Sequence, residues 1–276
     1  MEKKIAFLGA GSMAEALISG FIKNKIVKTS QIIASNRSND NRLVELEKHY
    51  GIKTTKSKEL LIQSADIVFL AMKPMDIGEG LQSIKPFVRK EHVLISLLAG
   101  VSSKTIQHIL EQEIAVIRAM PNTSALIGQS STAIARGEFA CDMDVKRAKE
   151  LFEAVGNVTE VCETQLHAVT GLSGSGPAYI YYMVESMQEA ASVMGLDQAV
   201  ARRLIVQTLV GAAEMLKQTN QDAITLRKHV TSKGGTTEAG IQTLEHFHYK
   251  DAIIQCIKEA TKRSIEMEEL YAVQRN

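Results

Sequence analysis

Thr231-Ser232-Lys233-Gly234-Gly235-Thr236-Thr237 sets hydroxyl side chains on both sides of a glycine pair. That spacing suits the capture of a small carboxylate. A Gly-Gly step turns sharply and lets backbone N–H groups come close to a ligand. Ile241, Leu244 and Phe247 follow at helical spacing, so the turn should open a helix. The first N–H groups of a helix are unpaired and its dipole favours an anion. The N–H groups around Gly234, Gly235 and Thr237, helped by Ser232, are the candidate anion contacts. An ordinary capped helix start is the other reading of the same residues.

A second chemistry-bearing segment lies near the chain's start. The apolar run Lys4–Leu8 is followed at once by Gly9-Ala10-Gly11-Ser12-Met13-Ala14, and then by Leu17, Ile18, Phe21 and Ile22 at helical spacing. Strand, glycine turn and helix in that order form the context a dinucleotide fingerprint requires. Gly9 allows the tight turn, Gly11 lets the backbone approach a pyrophosphate, and Ala14 is small enough for the helix to pack on the strand. A strand–helix turn without a ligand is the plainer alternative. The second strand, Gln31–Ala34, ends in Ser35-Asn36-Arg37-Ser38. An acidic residue there would favour a free ribose hydroxyl. Hydroxyl, amide and guanidinium donors without a carboxylate favour a 2′-phosphate instead, so the expected carrier is NADP(H), with NAD(H) as the alternative.

The elements that must position these residues form two kinds of chain. Asp66–Ala71, Val93–Leu97, Ala115–Ala119 and Thr132–Ala135 are apolar runs separated by helical segments such as Leu43–Tyr50. That alternation predicts an α/β fold, a largely parallel doubly wound sheet of Rossmann type. Ligands gather at the carboxyl ends of such strands, which places Lys73 and the turn at Ala99-Gly100-Val101 on the cofactor cleft. After about Glu163 strand signals cease. Gly171–Pro177 breaks the chain, Pro177 opens a helix ended by Gly195, and Asp197 caps the next. The last helix carries one stripe, Ile253, Ile257, Ala260, Ser264, Met267 and Tyr271. Val200–Leu216 is apolar on more than one side, which calls for burial in an intertwined helical dimer or between helices of one monomer. The expected domains are residues 1–163, binding the dinucleotide, and 164–276, all-helical, for dimerisation and substrate.

Composition sets outer bounds. The chain has 276 residues, enough for two domains, with 45% hydrophobic and 23% charged residues, as in ordinary globular proteins. A net charge of +1 gives no electrostatic case for nucleic acid or an anionic membrane. No apolar run reaches the roughly 18–20 residues that span a bilayer. Cys141, Cys162 and Cys256 are scattered and read as reduced thiols of a cytoplasmic protein. Seven histidines show no metal-ligand spacing with them, so no metal is expected, and Met1-Glu2-Lys3-Lys4 leads into a strand rather than a secretory signal.

Three segments in order, Gly9–Ala14, Thr170–Tyr179 and Val230–Gly240, together resemble the pyrroline-5-carboxylate reductase family. The likeness also touches Ala71–Pro74, Arg118–Thr123 and Gln207–Ala213, and so runs along essentially the whole chain. It implies a Rossmann domain followed by a helical dimerisation domain, homodimers that often assemble into rings, and NAD(P)H-dependent reduction of 1-pyrroline-5-carboxylate, a small imino acid, to L-proline. Cofactor contacts then fall on Leu8, Gly9, Ala10, Gly11, Ser12 and Met13, on Leu70, Ala71, Met72, Lys73 and Pro74, on Ala99, and on Ser35, Asn36 and Arg37. Substrate contacts fall on Val230, Ser232, Gly234, Gly235 and Thr237. Ser232 and Thr237 become the candidates for catalysis, with the Thr237 hydroxyl toward the ring nitrogen. His229 borders the loop as a structural residue.

Three positions depart from the family pattern. Lys233 and Ser124 stand where the family usually has proline, and Asp222-Ala223-Ile224 lacks the usual proline turn. Losing proline frees the unbound chain and raises the cost of ordering it. A paralogue acting on a related cyclic imine, or a non-catalytic NADP-sensing oligomer, is therefore the alternative function. A β-hydroxyacid dehydrogenase would share the fingerprint and a helical second half, but it would need a lysine that Gly171–Pro177 lacks.

Overall fold

The computed structural model describes residues 3–273. Its sheet holds eight strands: β1 (Ile5–Leu8), β2 (Ile32–Ser35), β3 (Lys53–Thr54), β4 (Ile67–Leu70), β5 (Val93–Ser96), β6 (Ala115–Met120), β7 (Ser130–Arg136) and β8 (Gly156–Glu160). They lie in the order β3-β2-β1-β4-β5-β6-β7-β8. Neighbours are parallel except β6 and β7, which are antiparallel. The parallel sheet read from the sequence is present; the antiparallel step and the short β3 and β8 were not legible in it.

Burial explains why these segments are strands. Every residue of β1, β2, β4, β5 and β6 is buried, as expected of a parallel sheet covered on both faces. Side chains alternate between two cores. Ile5 and Phe7 join Phe69 and Phe152 on one face, beneath α1 (Ser12–Lys23) and α2 (Asp40–Tyr50). The rings of Phe7 and Phe69 stack at 4.7 Å. Ala6 and Leu8 join Leu81, Ile84 and Ile106 on the other face, which α3 (Lys58–Gln63), α4 (Ile77–Ile84) and α5 (Ser103–Leu110) cover. α6 (Asp142–Glu153) adds Leu151 and Phe152 to the first core.

Register brings four strand ends level. Leu8 lies opposite Ser35 on one side and Leu70 on the other, and Leu70 lies opposite Ser96. β2 and β4 flank β1, so the chain changes direction across the sheet at β1, the crevice where such folds bind ligands.

The last strand ends at Glu160, which matches the change of element type expected near residue 163. The chain nevertheless divides into compact units elsewhere: Met1–Pro177 with Lys258–Asn276, and Ala178–Ile257. The segment just after residue 163 stays with the sheet because α7 (Leu166–Val169) buries Leu166 beside Met120 and Ala135. The glycine-rich block does not break the chain, contrary to the sequence reading. Thr170–Gly174 continues α7 as a π turn, closed by Ser175 N–H donating to the Thr170 carbonyl at 2.8 Å. Hydroxyls of Thr170 and Ser173 return to the carbonyls of Leu166 and Val169.

The second unit comprises most of α8 (Gly176–Val193), α9 (Gln198–Gln218), α10 (Ala223–His229), α11 (Thr236–His246) and the first turns of α12 (Tyr249–Val273). Asp197 caps α9, and Gly195 stands at φ +79° after α8, as the sequence indicated. The stripe read on α12 is also found: Ile253, Ile257, Ala260, Ser264, Met267 and Tyr271 are among its shielded positions. The unit's own core is small, built on Ala191, Ala201 and Ile205. On α9, Leu204, Val206, Val210 and Met215 remain 48–57% exposed in the single chain, so burial within one monomer does not account for that face.

In the first unit one polar network stands out. Arg118, 3% exposed, donates to Glu163 at 3.2 Å, and Glu268 lies 3.9 Å away. Glu163 also accepts from the N–H and hydroxyl of Ser103. Glu268 meets His167 at 2.8 Å, whose other ring nitrogen reaches buried Ser264 at 3.0 Å. Removing one partner of a buried charge pair is costly, whereas replacing both can be neutral. Glu163→Leu should therefore lose about 3 kcal/mol in urea unfolding, and adding Arg118→Met should restore part of it. A double variant no more stable than the single one would show that the Arg118 charge is not the source of the loss.

Candidate active site

The cofactor cradle begins where β1 ends. Gly9 sits at φ +110°, and a Cβ there would come within 2.5 Å of the Ala71 backbone. Its N–H donates to the Ser35 carbonyl at 2.9 Å, while Ala71 N–H donates to the Leu8 carbonyl at 2.9 Å. Only glycine tolerates that conformation at that approach. Gly11 is the residue before α1 and no side chain caps the helix. Glu15 N–H is the first to turn back, onto Gly11, so the N–H groups of Ser12, Met13 and Ala14 have no partner among the described residues. Nothing lies within 4 Å of where a Gly11 Cβ would be. Open space, three unpaired N–H donors and the positive end of a dipole fit a pyrophosphate. Ala14 is fully buried under the helix, as its small size predicts.

The loop is braced from behind. Arg42 on α2 donates through Nε to the Ala10 carbonyl at 3.1 Å and pairs through Nη2 with Glu15. Tyr50 donates to the other Glu15 oxygen at 3.1 Å. Burial alone would raise the Glu15 carboxyl, but the hydrogen bonds from Arg42 and Tyr50 outweigh it and hold the group below the ordinary glutamate value.

Ser35, Arg37, Leu8, Gly9 and Met72, all expected from the sequence as cofactor contacts, line one cleft at the strand ends. Lys58, Asp76 and Glu79 line it too, and none of these was singled out from the sequence. Arg37 is 2.8 Å from Glu79 and 3.0 Å from Asp76, so its charge is already matched. The Asn36 side-chain oxygen accepts from the N–H groups of Ser38 and Asn39, which shapes the turn. Lys73 caps the short turn Pro74–Asp76 and is exposed. Leu70 is buried at the end of β4, and Ala71 just after it and Ala99 in the turn beyond β5 are partly shielded.

The Val230–Gly240 loop belongs to the second unit. Gly234 has φ +74°. Its N–H donates to the Glu238 carboxylate at 2.7 Å, and Gly235 N–H donates to the Ser232 carbonyl at 3.0 Å. Two N–H groups expected to face an anion are thus engaged inside the loop. At the start of α11 the N–H groups of Thr236, Thr237 and Glu238 have no partner among the described residues, because the helix carries no side-chain cap and Ala239 is the first of its residues to turn back. The capped-start reading of this segment therefore does not hold. Ser232 Oγ lies over Gly235, where a Cβ would come within 2.6 Å. Val230, Ser232, Lys233 and Thr237 are exposed.

Comparison with known proteins agrees along the chain's length. Residues 163–267 match the family model described as pyrroline-5-carboxylate reductase dimerisation, and residues 4–100 match that described as NADP oxidoreductase, coenzyme F420-dependent. A Bacillus subtilis protein named pyrroline-5-carboxylate reductase 2 is 46% identical over 98% of this chain and 97% of its own. The structure of a Coxiella burnetii pyrroline-5-carboxylate reductase superposes with a TM-score of 0.88 at 34% identity, covering 97% of this chain and 99% of that one. That of a Plasmodium falciparum pyrroline carboxylate reductase with NADP bound gives 0.89 at 28% identity, covering 97% and 98%.

The brace behind the glycine loop predicts an acid sensitivity. A carboxylate whose pKa is lowered on folding contributes stability above its unfolded value, about 4.3 for glutamate, and loses it as pH falls through the lower folded value. Glu15→Gln should cost about 1–2 kcal/mol at pH 7. Urea midpoints of wild type and variant should converge as pH drops below about 4; a gap that stays constant down to pH 3 would remove Glu15 from the acid response.

Proposed function

The chain belongs to the pyrroline-5-carboxylate reductase family, and from that premise we propose that it reduces 1-pyrroline-5-carboxylate to L-proline at the expense of NADPH. The reduced nicotinamide supplies the hydride. The protein's own residues bind, orient and protonate. Gly9, Ala10, Gly11, Ser12 and Met13 receive the pyrophosphate, and Leu70–Pro74 with Ala99 bound the rest of the cofactor. Ser35, Asn36 and Arg37 border the adenosine ribose.

The uncapped start of α11 carries the substrate reading. The imino-acid carboxylate takes the N–H groups of Thr236 and Thr237, with the Ser232 hydroxyl beside them. Gly234 and Gly235 shape this loop, and Val230 flanks it. The Thr237 hydroxyl assists proton delivery to the ring nitrogen as the C=N bond is reduced. No His–Asp or Cys–His pair is required, since the imine carbon becomes electrophilic as its nitrogen takes up that proton.

Residues 1–163 act as the dinucleotide-binding domain and 164–276 as the dimerisation and substrate domain. The apolar face of α9 and the exposed Ile180, Tyr182 and Val193 of α8 support a homodimer, because surfaces of this kind seldom stay open to water. Among the described residues no helix is long and apolar enough to cross a membrane. Three free cysteines support a cytoplasmic setting.

Following NADPH absorbance with 1-pyrroline-5-carboxylate tests this directly. Thr237→Ala should lower kcat by about a hundredfold, the lower end of the range for lost proton-transfer catalysis, with NADPH affinity held near wild type. An unchanged kcat removes Thr237 from the chemistry. Nucleotide binding with no turnover would return the protein to a sensing role.

A further inference from the structure

The cleft at the ends of β1 and β2 contains two cations with different surroundings. Arg37 is the one the sequence advertises, but Asp76 and Glu79 both hold it, at 3.0 and 2.8 Å. Lys58 is the other. It is the first residue of α3, whose N-terminus Ser57 caps by accepting from Leu60 N–H. Its ammonium donates to the Ser35 hydroxyl at 2.8 Å. Ser35 is fully buried at the last position of β2, the strand end that meets the adenosine ribose in such folds. No carboxylate pairs with Lys58 among the described residues, and burial holds its ammonium below the ordinary lysine value.

We propose that Lys58, rather than Arg37, is the residue that selects the 2′-phosphate of NADPH, with Glu79 and Asp76 restraining that preference through Arg37. A partly dehydrated cation with no ion-pair partner gains most from an arriving dianion, because attraction strengthens as water is excluded. Arg37 would first have to leave two carboxylates. Those carboxylates repel a phosphate where they stand and can accept from a free ribose hydroxyl, so the same cleft retains a place for NADH. Lys58 therefore sets the preference and Glu79 limits it. This rests on the reductase reading for its cofactor, but it can be measured without the reaction.

Isothermal titration with adenosine 2′,5′-bisphosphate and with 5′-AMP isolates the 2′-phosphate. Wild type should bind the bisphosphate more tightly, and the gap should shrink as salt is raised from 50 to about 300 mM. Lys58→Met should reduce the affinity ratio about tenfold, Lys58→Arg should keep most of it, and Arg37→Met should change it less than Lys58→Met does. Glu79→Gln should widen it. The ratio of kcat/KM for NADPH over NADH should follow the same order. A ratio unmoved by Lys58→Met, or moved more by Arg37→Met, overturns the proposal. So does equal binding of the two nucleotides by wild type, a result independent of how any variant folds. Loss of imine turnover in wild type with the binding gap intact would instead overturn the reductase reading and leave Lys58 in place.

Discussion

The cofactor region depends on one close approach. At Gly9 the backbone leaving β1 passes so near the backbone leaving β4 that no Cβ fits between them. Two hydrogen bonds tie it down, Gly9 N–H to the Ser35 carbonyl and Ala71 N–H to the Leu8 carbonyl. They join the ends of β2, β1 and β4 into one rim. α1 starts from that rim with its N–H groups open, and the cleft that holds Ser35, Arg37 and Lys58 lies along it. Buried strands on both sides make the rim rigid: Phe7 and Phe69 stack directly beneath it. A site built this way needs no rearrangement of its frame to receive an anion.

Two helix starts in the protein share one arrangement that suits an anion. At α1 and again at α11 a helix begins without a side-chain cap, after a glycine, and leaves three N–H groups unpaired. Backbone donors fix geometry and carry no lasting charge, so they accept a pyrophosphate or a carboxylate without building a cationic surface. This fits a chain whose net charge is only +1. Selectivity is then left to side chains around each start. Near α1 these are Lys58, Arg37, Asp76 and Glu79, whose formal charges cancel. Near α11 they are Ser232, Thr237 and Glu238. Glu238 is itself a carboxylate resting on Gly234 N–H, which leaves only the first turn of the helix with open donors.

Much of this was legible in the sequence, for physical reasons. Strands buried on both faces are unbroken apolar runs, so β1, β4, β5 and β6 announce themselves. Two glycines and a small alanine between an apolar run and a helical pattern mark a tight strand–helix turn. What escaped lacks a local signature. β3 has two residues, and β8 is mostly exposed, with glycine, asparagine and glutamate among its five. The Gly171–Pro177 block reads as a break because glycine disfavours helix interiors. The π turn survives because Thr170 and Ser173 bond back onto α7 and Asn122, in the loop after β6, donates to the Ser173 carbonyl. Lys58 lies in a polar stretch that looks solvated, and its partner Ser35 is 23 residues earlier. Only the sheet brings the two together. Glu238 is four residues from Gly234, yet the sequence reading gave that N–H to a ligand.

The three missing prolines now have a structural answer. Proline stiffens a loop by narrowing the unfolded chain, at the cost of an N–H donor. At Ser124 the donor that a proline would lack is present and used. Ser124 N–H donates to the Asn122 side chain, which caps the turn Thr123–Ile127. At Asp222-Ala223 the aspartate caps α10 by accepting from Thr225 N–H at 2.7 Å. Around Lys233 the loop is closed by Gly235 N–H on Ser232 and by Glu238 on Gly234. Ser124 exchanges restraint of the unfolded chain for a hydrogen bond in the folded one, worth about 1 kcal/mol and close to the gain from a well-placed proline, whereas near Ala223 and Lys233 the bonds come from neighbouring N–H groups. The departures from the family pattern therefore do not by themselves weaken the case for turnover. They shift the ordering of these loops from chain stiffness to side-chain chemistry, which makes the Glu238 and Asp222 carboxylates part of what holds the α10–α11 segment in shape.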